Sequence, residues 1–141
     1  MESISKPTMM SLILEFNNRT LKTENWTHQA HIIVAMWHTM NFDFNTAVIL
    51  MRDKIKAYNT SVGTQNSDNS GYHETLTIFW MNLAKSFLLA NDSLQFEESC
   101  NAFLKSSKAS KGYSLNYYSK EILFSKKARK EYIKPDLKPI K

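Results

Sequence analysis

Three of the four histidines fall in two short polar-aromatic clusters, Trp26-Thr27-His28-Gln29-Ala30-His31 and Tyr72-His73-Glu74-Thr75-Leu76-Thr77. Side chains three or four residues apart share a helix face, so His28 and His31 present two imidazoles on one side. Carboxylate–histidine pairs at that spacing hold metals inside helix bundles. A divalent transition metal, zinc or iron, suits such nitrogen ligands once a third joins them, and His73 is the expected third. Without a metal, His73 is placed for general acid–base work, with Glu74 beside it as a second catalytic group. Thr77, one turn after His73, and Arg129 are the expected ligand-binding residues. The arginine would act through a bidentate contact to a carboxylate or phosphate.

Each of these residues has a plainer alternative. A histidine can hydrogen-bond a backbone carbonyl in the core, and a first-turn acid can complement the helix dipole. An arginine can pair with a local acid such as Glu121 or Glu131. His38 reads as a surface or flank histidine. Glu15 is a further polar residue that could complete a site. Cys100 has no base near it in sequence and reads as a small buried apolar residue. No Ser-His-Asp, HExxH or CxxC pattern and no Gly-rich phosphate loop is present.

Helices must position these groups. Apolar residues recur with helical period over five stretches, near 9–16, 24–40, 45–60, 72–90 and 94–105. Thr23 or Asn25 is the expected cap of the second, and Asn91-Asp92 of the fifth. Trp26, Ala30, Ile33, Trp37 and Met40 define an apolar stripe opposite the imidazoles. Trp37, Phe79, Leu83 and Phe87 are expected to be nearly fully buried. Residues 61–72 are small and polar and read as a long, mobile loop. Two short helices are expected near 119–124 and 125–132, before Pro135 and Pro139 end helical order.

The bulk composition bounds the rest. With 141 residues, 43% hydrophobic, and three each of Gly and Pro, the chain suits one all-α domain with its own core. A lone cysteine, no visible secretory start and no apolar run of membrane length point to a cytoplasmic protein. Charge is segregated. Residues 1–104 hold seven Lys/Arg and ten Asp/Glu, while residues 105–141 hold eleven and three. That basic segment, 106–141, is expected to lie on the bundle.

The clusters resemble an uncharacterised family of small bacterial helical proteins. The resemblance rests on the two histidine segments, on Ser125 to Arg129, and on Pro135-Asp136-Leu137-Lys138-Pro139. The order Glu15-Phe16 departs from the family's first helix. The resemblance implies a helical fold and a site at the two clusters, with no activity attached.

Two function classes follow. One is a small metal-binding enzyme or small-molecule binder, its pocket between the second and fourth helices. The other is a non-catalytic interaction module whose basic segment binds an acidic partner or nucleic acid.

Overall fold

The computed structural model describes residues 2–140. Five helices make the bundle: α1 (Lys6–Asn18), α2 (His28–Asn41), α3 (Phe44–Ser61), α4 (Glu74–Ala90) and α5 (Phe96–Lys105). Two short helices, α6 (Lys120–Leu123) and α7 (Lys126–Lys130), follow 3₁₀ turns at Ser107–Ala109 and Lys111–Asn116. No strand is present among the described residues. The all-α reading therefore holds. Among the described residues no helix is long and apolar enough to cross a membrane.

The helix boundaries are set by side-chain caps that satisfy the free N–H groups of the first turn. Ser5, Asp43, Ser119 and Ser125 cap α1, α3, α6 and α7. The cap of α2 is Thr27, whose hydroxyl accepts from Ala30 N at 3.2 Å, rather than Thr23 or Asn25. Those two residues bound a separate 3₁₀ turn. Helix α5 starts at a Gln95–Glu98 pair, with Gln95 N donating to Glu98 Oε1 at 3.1 Å, and not at Asn91-Asp92. Local propensity cannot separate such neighbouring cap residues; the choice is made where the chain must turn to pack.

Helix α2 is the hub of the molecule. It packs against α1, α3, α4 and α5, so Ile32, Ile33, Val34, Ala35 and Met36 are all buried. The expected two-faced helix is thus wrong in detail: Met40 is exposed and Trp37 only half-buried. His38, expected at the surface, is fully buried. Its Nδ1–H donates to Val34 O at 2.8 Å and its Nε2 accepts from Lys54 Nζ at 2.8 Å. Phe79 and Leu83 are buried as expected, while Phe87 lies partly exposed at the edge of the core.

The C-terminal segment lies on the bundle, tied by buried polar contacts. Tyr118 is fully buried and donates to Ile133 O at 2.6 Å. The Thr75 hydroxyl donates to Glu131 O at 3.0 Å and accepts from Ile133 N at 3.2 Å. Helix α7 packs on α4. The polar loop also makes side-chain hydrogen bonds to its neighbours. Asn66 Oδ1 accepts from Asn59 Nδ2 and from Tyr72 N, and Asn66 Nδ2 donates to Lys56 O. One asparagine thereby ties the loop to both flanking helices.

Candidate functional site

A cavity of about 810 Å³ lies between α2, α3, α4 and the C-terminal segment. His28, His31, His73 and Thr77, all singled out above, line it together. Its volume falls within the roughly 300–1,000 Å³ of small-molecule sites. It is open to solvent on one side, where the exposed Thr64, Lys111, Gly112 and Phe124 contribute to its lining. Its walls are largely apolar. Ile32 and Ala35 come from α2, Met51 and Ile55 from α3, Leu76, Trp80 and Met81 from α4, and Leu115, Leu123 and Phe124 from the segment after α5.

The three histidines are brought to one cavity but not to one point of coordination. His73 is the N-cap of α4: its Nδ1 accepts from Leu76 N at 3.1 Å. Its Nε2–H donates to Leu123 O at 2.8 Å, because a carbonyl can only accept. Both ring nitrogens are committed, so His73 has none left for a metal or for proton transfer. Burial lowers its pKa, the Leu123 bond offsets part of that, and the Arg129 charge lowers it again. Among the described residues no group of three or more His, Cys, Asp or Glu side chains is placed to hold a metal ion. The expected metal set of His28, His31 and His73 is therefore not assembled.

His28 and His31 are held differently. His28 Nε2–H donates to Ala109 O at 2.8 Å, and His31 Nδ1–H donates to Thr27 O at 2.8 Å. Each bond fixes the tautomer and leaves a lone pair on the other nitrogen. Neither His28 Nδ1 nor His31 Nε2 is among the buried unpartnered atoms, which are Asn17 Oδ1 and Ser99 Oγ. Burial pushes His31 down to about 4, with the neighbouring His28 and Lys111 adding to the effect. His28 is shifted in the same direction, again chiefly by burial and further by Lys111. Both imidazoles are neutral at pH 7. Trp26 stacks on His31 with ring centres 3.7 Å apart, and Trp80 meets His28 edge-on at 5.0 Å.

The remaining expected site residues have other partners. Glu74 is buried and receives a bidentate pair from Arg52, Nε to Oε1 at 3.0 Å and Nη2 to Oε2 at 2.7 Å. The Tyr72 hydroxyl donates to the same Oε1 at 2.5 Å. Burial alone would raise the Glu74 carboxyl; the Arg52 and Tyr72 hydrogen bonds outweigh it and hold the group below its usual range. Glu74 is thus a structural anion behind the cavity wall, not a base within it. Thr77 donates to His73 O at 2.8 Å and does line the cavity. Arg129 donates to Gly71 O at 2.9 Å and clamps the end of the polar loop rather than facing the cavity. It pairs with neither Glu121 nor Glu131; the latter meets Lys127 instead. Glu15 is exposed on α1. Cys100 is fully buried, and desolvation pushes its thiol up to about 12, so it is inert.

Sequence reasoning missed Arg52, Lys111 and the aromatic wall of Trp26 and Trp80. Lys111 was submerged in a run of lysines and serines, and Arg52 lies 22 residues from its partner. The fold and the cavity define a helical bundle with a solvent-open pocket between its helices. The chain matches no family model, no curated protein and no solved structure.

Proposed function

We propose that this protein binds a small organic molecule in the cavity between α2, α3 and α4. The observation that carries this reading is the combination of size and lining. A pocket of small-molecule size is walled largely by apolar and aromatic side chains, and two tautomer-fixed imidazoles supply hydrogen-bond acceptors. Few, oriented polar groups in an apolar cavity are what small-molecule sites use to fix a ligand. Binding alone is proposed, because the groups expected to do acid–base chemistry, His73 and Glu74, are fully engaged in the fold.

A cavity-filling variant provides the test. Leu115 lines the cavity from the C-terminal segment and is half-buried, so Leu115→Trp should fill space without entering the central packing. Ligand-observed NMR with a diverse set of apolar fragments should find binders to the native protein that the variant loses. Binding that survives the filled cavity, or no binder at all, would count against the reading.

The interaction-module reading has one feature in its favour, the concentration of lysines in residues 105–141. Several of them, including Lys108, Lys120 and Lys126, are exposed. If that surface binds nucleic acid, a short duplex should associate with a steep salt dependence.

A further inference from the structure

Among the described residues, the lining of the cavity carries no negative charge. None of its lining residues is Asp or Glu, and Lys111 is the one lysine or arginine among them. The nearest carboxylate behind the wall, Glu74, is already neutralised by Arg52. Lys111 sits close enough to act on both His28 and His31 through its charge. Lys111, His28 and His31 thus lie near one another in the lining, beside the apolar side chains of Ile32, Met51, Ile55, Leu76 and Met81.

Resting on the small-molecule reading above, we propose that the cavity takes an amphipathic monoanion. Its negative head group sits among Lys111, His28 and His31, and its apolar body lies between α2, α3 and α4. A neutral ligand could use the imidazole lone pairs as acceptors, but it would gain nothing from the Lys111 charge. An anion is attracted by that charge, and the low-dielectric walls of the pocket focus its field.

The proposal has a proton consequence. His31 is neutral in the free protein because burial disfavours its cation. An anion placed against it favours that cation, and the lone pair on Nε2 is where the proton would go. The titratable groups that line the cavity with His31 are His28, Lys111, His73 and Tyr72. His73 has no free nitrogen and the Tyr72 hydroxyl is held by Glu74, so the uptake falls on His31 and His28. Affinity for the anion then rises as pH falls, by up to about tenfold per pH unit for each proton taken up.

Three probes with one apolar body and different heads test this on the native protein: decanoate, decanol and decylamine. Tryptophan fluorescence reports binding, since Trp26 and Trp80 line the cavity. Decanoate should bind at least about tenfold more tightly than the other two, and more tightly at about pH 6 than at about pH 8. Calorimetry in buffers of different ionisation heat should show proton uptake. Lys111→Glu alters an exposed side chain and should weaken decanoate by about tenfold or more while leaving decanol unchanged. If decanol or decylamine binds as well as decanoate, or if decanoate affinity is indifferent to pH and to Lys111→Glu, the anion inference is overturned while the cavity reading stands. If none of the three binds, both are overturned.

Discussion

Gly63 and Gly71 share a backbone conformation and differ in what surrounds them. Their φ angles are +82° and +79°, in the region that side chains disfavour. A Cβ on Gly63 would meet nothing, whereas one on Gly71 would strike the Gln65 carbonyl and the Asn66 side chain. Gly63→Ala should therefore cost about 1 kcal/mol, the conformational penalty alone. Gly71→Ala should cost at least about 2 kcal/mol, since it also displaces the asparagine that ties the loop to α3 and to Tyr72. Urea denaturation of the two variants separates them, and equal losses would show that Asn66 does not secure the loop. At this scale the sequence was informative about position and poor about partnership. The cluster Tyr72-His73-Glu74-Thr75 stood out because polar groups interrupt an apolar pattern. Its partners, Arg52, Leu123 O and Glu131 O, lie 22 to 56 residues away, and no local pattern carries that information.

The elements were more legible than the contacts. Helix ends are decided by caps and by breaks in periodicity, both local, so the five long helices lie close to where the apolar spacing puts them. The role of α2 was not legible, because a helix buried on nearly all sides loses the polar stripe by which a surface helix reveals its orientation. Helix α4 carries the aromatic centre of the core. Phe79 is fully buried against Trp80, Tyr117 and Tyr118, and Phe79→Ala should lower stability by about 3–5 kcal/mol. A loss below about 1 kcal/mol in denaturant unfolding would contradict that packing. The clamp between α7 and the polar loop makes a second prediction. In the native protein the Tyr72 amide, bonded to Asn66 Oδ1 at 3.0 Å, should exchange slowly with solvent. Arg129→Ala removes the tether on Gly71 O and should speed that exchange while leaving amides in the middle of α2 unaffected. Unchanged exchange at Tyr72 would mean the guanidinium is not what holds this end of the loop.

Across the whole molecule, buried neutral histidines set a pH limit on stability. His31 and His38 are each held near 4 against an ordinary value of 6.5, chiefly by burial. A histidine depressed in the folded state binds its proton more readily when unfolded. The stability due to its neutrality is full above about pH 6.5 and drains away as pH falls toward 4. For the fully buried His38 the loss by about pH 5 is about 2 kcal/mol. His38→Gln keeps an acceptor for Lys54 and removes the titration. Its unfolding midpoint should fall less between about pH 7 and pH 5 than that of the unaltered protein, and an identical fall would place the pH sensitivity elsewhere. The charge asymmetry of the chain was plain in its sequence. That the basic segment also supplies one wall of the cavity was not, because the residues that do so, Gly112, Leu115 and Leu123 among them, carry no chemical signature.

That wall bears on the order in which the molecule is made. Ribosomal synthesis releases residues 1–105 first, and these contain α1 to α5 with most of the apolar core. The carbonyls of Ala109 and Leu123, which fix the His28 and His73 rings, emerge only afterwards. Until the segment carrying them closes over the rings, the His28 ring lacks the carbonyl that fixes it and the His73 ring keeps only its bond from Leu76 N. A ligand has no complete binding site before that moment. Its effect should be felt as protection of the late-arriving segment: limited proteolysis after α5 should slow in its presence, while cleavage elsewhere should not.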